Sequence, residues 1–344
     1  MSGSTEKTGF PIGSRRSKLA LVQTELVQSS LQALHPDLSF PISAMQTMGD
    51  KNQIQSLYNM GKSLWTKELE VVLFEGDVDL IVHSLKDMPT TLPEGARLGA
   101  ILEREDPRDA LVMRAGSAYE TLDDLPEGAI VGTSSVRRTA QLKRKYPHLQ
   151  FADVRGNVLT RLEKLDGTFS VPPPSLASSS ESPIVIPEYS CLILAAAGLI
   201  RLGLGGRITG YLEAPTLLHA VGQGALGIEI RENDEKTAQL LAPLVHRPTW
   251  LRCLAERALM RTLEGGCSVP IGVQTSLSPQ NLLEMHACVV SVDGTEYVEA
   301  KETMRVESDE EAEELGKLVA MRLVEGGAGA VLERINEVRE RHQD

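Results

Sequence analysis

The stretch that most constrains this chain is Val78-Asp79-Leu80-Ile81-Val82-His83-Ser84-Leu85-Lys86-Asp87-Met88-Pro89. Leu80-Ile81-Val82 is a short apolar run between polar residues, the pattern of a buried strand in a parallel sheet. It runs directly into His83, Ser84, Lys86 and Asp87, and Pro89 then ends any regular element. Ligands of open α/β sheets sit just past the carboxyl ends of strands. A lysine beside an aspartate at that point offers an ammonium to an anion and a carboxylate to a cation.

The same strand, polar turn and helix sequence recurs along the chain. Gly13-Ser14-Arg15-Arg16-Ser17 opens an amphipathic helix with Leu19, Val22, Leu26, Val27, Leu31 and Leu34 on one side. A helix start presents free backbone N–H groups, and arginine adds a fork for a carboxylate or phosphate. Gly49 to Ser63 reads as a loop, followed by a helix marked by Leu64, Trp65, Leu69, Val72 and Leu73. Gly61-Lys62-Ser63 looks like the end of a phosphate loop, but the glycine that pattern requires is replaced by Ser56. The charged run Glu103 to Asp109 separates two apolar runs and reads as a crossing between domains.

Ala129-Ile130-Val131 then forms a strand, Gly132-Thr133-Ser134-Ser135 a turn, and Arg137-Arg138 the first turn of a helix. Basic residues oppose the helix dipole there, so their placement points to a bound anion. A strand from Leu149 to Val154, the turn Arg155-Gly156-Asn157 and a helix carrying Arg161 follow. Arg137, Arg138, Lys143, Arg144, Lys145, Arg155 and Arg161 face only Asp153 as a local acid, in a chain of net charge −12. Residues 168–187 are rich in proline and serine and read as a disordered insertion. Cys191 to Ala195 is a further buried strand, leading to Arg201.

Gly222-Gln223-Gly224-Ala225-Leu226-Gly227 fits G-x-G-x-x-G, but Ile228-Glu229-Ile230 alternates like a strand where a dinucleotide site needs a helix. Residues 234–264 are helical by pattern. Cys267 follows in a Gly265-Gly266 turn, as either an exposed thiol that reacts or carries a group, or an unreactive cysteine in a tight turn. Three alternating runs (Ile271–Leu277, Leu283–Val292 and Thr295–Val306), an Asp293-Gly294 hairpin turn and helices near 308–324 and 329–342 make a small α+β domain.

The negative net charge argues against a nucleic-acid partner. Met1 to Gly9 lacks an apolar signal core and no run of eighteen apolar residues occurs, so no membrane association is expected. Cys191, Cys253, Cys267 and Cys288 are too widely spaced for a metal site or a disulfide framework, which fits a cytoplasmic location. Arginines at strand ends and helix starts, lining a cleft between two α/β domains, would hold a ligand bearing several carboxylates or phosphates. An aspartate among them has a reason to be there if positive charge develops on the substrate.

Taken together, these segments resemble the porphobilinogen deaminase family. The motifs recur in family order: Gly13-Ser14-Arg15-Arg16-Ser17, Thr66-Lys67-Glu68-Leu69-Glu70, His83 to Pro89, Gly132 to Arg138, Arg155 to Leu162, Leu194 to Leu199, Val221 to Ala225, and Gly265-Gly266-Cys267-Ser268-Val269-Pro270. The resemblance implies an α/β fold of two similar periplasmic-binding-protein-like domains with a cleft between them, plus a small C-terminal α+β domain. Domain 1 would comprise residues 8–105 and 214–233, domain 2 residues 106–213, and domain 3 residues 234–344.

The resemblance also implies a dipyrromethane cofactor held by a thioether to Cys267. Onto it four porphobilinogen units would be added head to tail, each losing ammonia, before water releases the linear tetrapyrrole hydroxymethylbilane. Asp87 would be the catalytic group. Arg15, Arg16, Ser17, Lys62, Ser84, Lys86, Thr133, Ser134, Ser135, Arg137, Arg138, Arg155, Gly156, Arg161, Arg201 and Gln223 would bind the carboxylate-bearing substrate. Family precedent is monomeric. Asn59-Met60-Gly61-Lys62 lacks one lysine and one glycine of the family's loop pattern. The competing reading is a non-catalytic two-lobed anion-binding protein.

Overall fold

The computed structural model describes residues 8–45, 66–170, 186–263 and 269–340. Cys267 and Lys62, the Asn59–Lys62 departure and most of the Pro/Ser-rich insertion lie outside them.

The first lobe contains β1 (Ile12–Arg15), α1 (Lys18–Leu34), β2 (Ile42–Met45), α2 (Lys67–Glu75), β3 (Leu80–Ser84), β4 (Ala96–Ile101) and β10 (Leu226–Arg231). Its sheet runs β2-β1-β3-β10-β4. The second contains β5 (Asp109–Met113), β6 (Ile130–Gly132), α3 (Val136–Lys145), β7 (Gln150–Ala152), α4 (Val158–Asp166), β8 (Cys191–Ala195), α5 (Ala196–Arg201) and β9 (Gly210–Leu212). Its sheet runs β7-β6-β8-β5-β9. The two orders are the same once the strands are matched by position.

Each sheet takes its fourth strand from chain arriving out of the other lobe. That strand enters where its neighbour ends: Leu226 pairs with Ser84, and Asp109 with Ala195. It must therefore run backwards. The expectation of a parallel sheet around Leu80-Ile81-Val82 is corrected accordingly: β3 is parallel to β1 but antiparallel to β10. The apolar run is the same in either case because both faces of β3 are covered, with Leu80, Ile81 and Val82 all buried.

The crossings, residues 102–108 and 213–225, lie side by side. Glu105 N donates to Gly224 O at 3.2 Å. Gly224 has φ +86°, and a Cβ there would lie 2.4 Å from Glu105 O, so only glycine fits.

α6 (Glu235–Leu241) buries Leu240 and Leu241 in the first lobe's core with Phe10 and Ile228, and Leu244 and Val245 pack against the same core. The expected start of the third domain at 234 therefore falls too early. Pro243 and Pro248 divide the helical run of residues 234–264, so its first part folds back on the lobe. α7 (Arg247–Thr262) follows and packs with β11 (Ile271–Leu277), β12 (Leu282–Val290), β13 (Tyr297–Arg305), α8 (Asp309–Glu325) and α9 (Ala328–Glu340). The strands form an antiparallel meander whose second turn is Asp293-Gly294 with Gly294 at φ +81°. Leu259, Val273, Met285, Leu315 and Leu323 share its core.

Candidate active site

The chain leaves β3 into a single 3-10 turn, Leu85–Asp87. Leu85 and Met88 are buried with Ile101, Ala225 and Cys253, and Leu85 N donates to Ala225 O at 3.0 Å. Apolar anchors on either side thus hold Lys86 and Asp87 half-buried at the strand end. Ser84 Oγ donates to Gln23 Oε1 of α1 at 3.0 Å. Lys86 Nζ lies 3.4 Å from Gln223 Oε1. Burial pushes the Lys86 ammonium down to about 8; Asp87 opposes this, and Arg138 adds to it.

Asp87 also acts across the cleft. Arg161, on α4 of the second lobe, is pushed down to about 10 by burial and then by Arg138, while Asp87 works in the other direction. Asp87, Lys86, Arg138 and Arg161 are therefore one electrostatic group drawn from both lobes. The lobes also touch where α1 meets α5: a Cβ on Gly198 would lie 3.7 Å from Leu19 Cδ2.

In the second lobe, Ser135 caps α3 by accepting from Arg138 N, and Thr133 Oγ1 accepts from Ser135 N at 3.3 Å. Ser134 Oγ donates to Val154 O at 2.9 Å and accepts from Val154 N at 3.1 Å, joining two strand ends. The anion that Arg137 and Arg138 call for is part of the protein. Asp109, 1% exposed, accepts from Arg137 Nη1 at 2.7 Å and from Arg138 Nε and Nη2 at 2.9 and 2.7 Å. Arg137 Nη1 also reaches Leu218 O, and Arg138 Nη1 reaches Ile193 O. Burial raises the Asp109 carboxyl, but the two guanidiniums outweigh it and hold the group well below the usual carboxylate range. Both arginines are only 6% exposed.

Gln223 is 1% exposed and spends its amide on the hinge. Its nitrogen donates to Pro107 O at 2.7 Å and Asp109 Oδ1 at 3.0 Å, and its oxygen faces Lys86. It links the crossings to the Asp87 turn. Arg201 Nη2 donates to Gly224 O at 2.7 Å, again at the hinge. Arg16 is exposed and donates to Ala44 O, Arg15 is half-buried at the end of β1, and Ser17 caps α1 through Ala20 N at 3.3 Å. Arg155 pairs with Asp153 at 3.1 Å. Gly156 has φ +109° with its carbonyl accepting from Arg161 Nε at 2.8 Å. Part of the basic run turns from the cleft altogether: Arg144 lies 4.1 Å from the Tyr297 ring centre, and Lys145 donates to Thr216.

The sequence reading missed Asp109, taking it only as the end of a charged connector. It also missed Arg104 and Glu256, a buried bidentate pair at 2.6 and 3.0 Å that fastens the outgoing crossing to α7. An acid immediately before the buried run Ala110–Met113 was the one available signal for Asp109.

The family model described as "Porphobilinogen deaminase, dipyromethane cofactor binding domain" matches residues 10–239, and "Porphobilinogen deaminase, C-terminal domain" matches 250–325. The chain is similar to the porphobilinogen deaminase of Yarrowia lipolytica, at 57% identity covering 94% of this chain and 93% of that one. It is 50% identical to that of Neurospora crassa, covering 98% and 96%. It is 51% identical to that of Saccharomyces cerevisiae, covering 94% and 96%. Among solved structures, the periplasmic aliphatic sulphonate binding protein SsuA of Escherichia coli matches at 13% identity and a TM-score of 0.37, covering 75% of this chain and 71% of that one, too faint a likeness to bear on the assignment. With two family domains matched in order and relatives at about half identity or better along nearly the whole length, the chain belongs to the porphobilinogen deaminase family.

Proposed function

We propose that this protein is a hydroxymethylbilane synthase, which joins porphobilinogen units head to tail with loss of ammonia and releases the linear tetrapyrrole. The observation that carries the reading is the placement of Asp87 from one lobe among Lys86, Arg138 and Arg161, cations drawn from both. Porphobilinogen brings an acetate and a propionate, so a growing chain is a polycarboxylate. Arg161, Arg155, Arg15 and Lys86 supply charge for those groups. Departure of ammonia leaves positive charge on the pyrrole. The Asp87 carboxylate stabilises that charge and accepts a hydrogen bond from the ring N–H.

Arg137 and Arg138 act with Asp109 as a buried ion triad of net positive charge. Their contribution is to position the cleft wall and set its field. The carboxylates of a ligand go first to the arginines that keep more exposure. A dipyrromethane, when bound, supplies the pyrrole end from which a chain grows. The cleft suits one, since it offers cations for acidic side chains and one carboxylate for ring N–H groups. Cys267 would carry it and Lys62 would contact the substrate. The three described cysteines, Cys191, Cys253 and Cys288, are free, and burial pushes each thiol up to about 12, which makes them poor alternatives for attachment.

We place the enzyme in the cytosol as a monomer; free buried thiols suit a reducing compartment. Light scattering on purified protein checks the mass, and cell fractionation checks the location. The decisive experiment gives the purified chain porphobilinogen and follows ammonia and tetrapyrrole together. One ammonia should appear for each porphobilinogen consumed, and one tetrapyrrole for every four. An intact mass equal to the bare sequence, with no product formed after preincubation with substrate, would favour the anion-binding reading.

A further inference from the structure

The chain on either side of the Asp87 turn is fastened to buried charge. A single 3-10 turn cannot fix its own place, because it carries few internal hydrogen bonds. On the incoming side, His83 Nε2 and Glu229 Oε2 of β10 lie 2.8 Å apart, with both side chains buried. On the outgoing side, Pro89 and Thr90 lie outside any helix or strand, so their carbonyls need donors from elsewhere.

α7 of the third domain supplies them. Arg257 Nη2 donates to Pro89 O at 2.7 Å and to Thr90 O at 3.2 Å. Arg261 Nη1 donates to the same Thr90 O at 3.2 Å, and its Nη2 reaches Glu313 of α8 at 2.6 Å. Arg257 is the unusual member of the pair. It is 4% exposed, and its hydrogen-bond partners among the described residues are those two carbonyls. Burial, then Arg261, push its guanidinium down to about 10, while Cys253 and Glu229 oppose them, so it stays charged at neutral pH. A neutral donor would hold a carbonyl at lower cost than a buried cation. What the guanidinium adds is a planar nitrogen whose two hydrogens grip adjacent carbonyls, and an attraction to Glu229 that ties the outgoing side of the turn to the incoming one.

The same helix makes two further contacts with this region. Cys253 packs with Leu85 and Met88. Glu256 pairs with Arg104 of the outgoing crossing and accepts from Gly222 N of the return at 2.8 Å. α7 ends at Thr262, and Cys267 follows a short way along the chain. One helix therefore links the Asp87 turn and both crossings to the segment that bears this thiol.

We propose that Arg257 is a positioning residue for Asp87: through the Pro89 and Thr90 carbonyls it sets where the carboxylate stands against a ring carried from Cys267. The proposal rests on the reading of Asp87 as the group that faces the reacting ring, and it names a residue of another domain on which that chemistry depends. Placement is worth this much buried charge, since a shift of about 1 Å in a catalytic group costs about a hundredfold in rate.

The test measures kcat and KM per cofactor-loaded chain, counted by intact mass, in the parent, Arg257→Gln, Asp87→Asn and the double variant, with a urea midpoint for each. Arg257→Gln should lower kcat by about tenfold or more while KM for porphobilinogen moves by less than about twofold, because the cations of the cleft are untouched. In the Asp87→Asn background the same change should cost less than about twofold, since no carboxylate is left to place. A merely structural contact would cost the same factor in both backgrounds. Should Arg257→Gln fail to fold, Arg257→Lys keeps the buried charge and is read in the same way, with a loss of about threefold expected. A parent that consumes no porphobilinogen would sink the assigned activity itself. A parent that turns over and is slowed by Asp87→Asn, with near-parent kcat in the folded Arg257 variants or equal losses in both backgrounds, would overturn this proposal alone.

Discussion

The two lobes repeat one unit and use it differently. In the first, β1 ends at Arg15, Ser17 caps α1, and the arginines Arg15 and Arg16 stand before the cap. In the second, β6 ends at Gly132, Ser135 caps α3, and Arg137 and Arg138 stand after it. Moving the arginines from one side of the capping serine to the other changes where they go. Ahead of the cap, Arg15 is half-buried and Arg16 exposed. Behind it, the pair dives under the sheet to Asp109. Strand order is the same in both lobes, so the scaffold does not decide the electrostatics. The position of a charge relative to the helix start does.

The sharpest way to break this comparison is Asp109→Asn. Two buried guanidiniums would lose their anion, and removing one partner of a buried ion group costs about 3–5 kcal/mol. Urea unfolding of parent and variant measures it. A variant as stable as the parent would mean that Arg137 and Arg138 are solvated, and the contrast between lobes would vanish.

Next comes Asp87→Asn, which probes the carboxylate left open to the cleft. Turnover should fall by about two to three orders of magnitude, the usual worth of a preorganised electrostatic group. The unfolding midpoint should stay near that of the parent, since the turn is anchored by Leu85 and Met88. Near-normal turnover would remove Asp87 from the mechanism.

A smaller effect is expected from Lys86. Its ammonium is charged below about 8 and neutral above, and only the charged form attracts carboxylates. In the free enzyme kcat/KM should therefore fall several-fold as pH rises through about 8. Lys86→Arg, charged throughout, should carry that limb to higher pH. A limb that stays in place would assign it to another group.

The smallest effects belong to the caps. Ser17→Ala and Ser135→Ala should each cost about 1 kcal/mol of stability by thermal or urea unfolding. Unequal losses would sharpen the comparison, since Ser135 sits over the buried arginine pair and Ser17 does not.

Much of the local structure was legible in the sequence. Cys191–Ala195 and Ile271–Leu277 stand as strands with the bounds the pattern gave them, because uninterrupted or alternating apolar residues have few other ways to be buried. The G-x-G-x-x-G segment does lead into a strand, β10, with Gly222 and Gly224 both at positive φ. The helix dipole argument correctly demanded an anion at Arg137-Arg138 and erred in looking for it in a ligand. Pattern could not say that Leu240 and Leu241 would face the first lobe, because an apolar helix stripe does not name its partner.

The sequence by itself determined the succession of strands, turns and helices and the charged packet at the end of β3. Only the tertiary structure decided which charges are spent inside the protein and which remain for a ligand. Coulomb energy depends on distance through space and on the medium between the charges. Asp109 meets Arg137 and Arg138, and Arg104 meets Glu256, only after the chain has crossed between lobes and bound the third domain. Neither those distances nor that burial exists until the fold does.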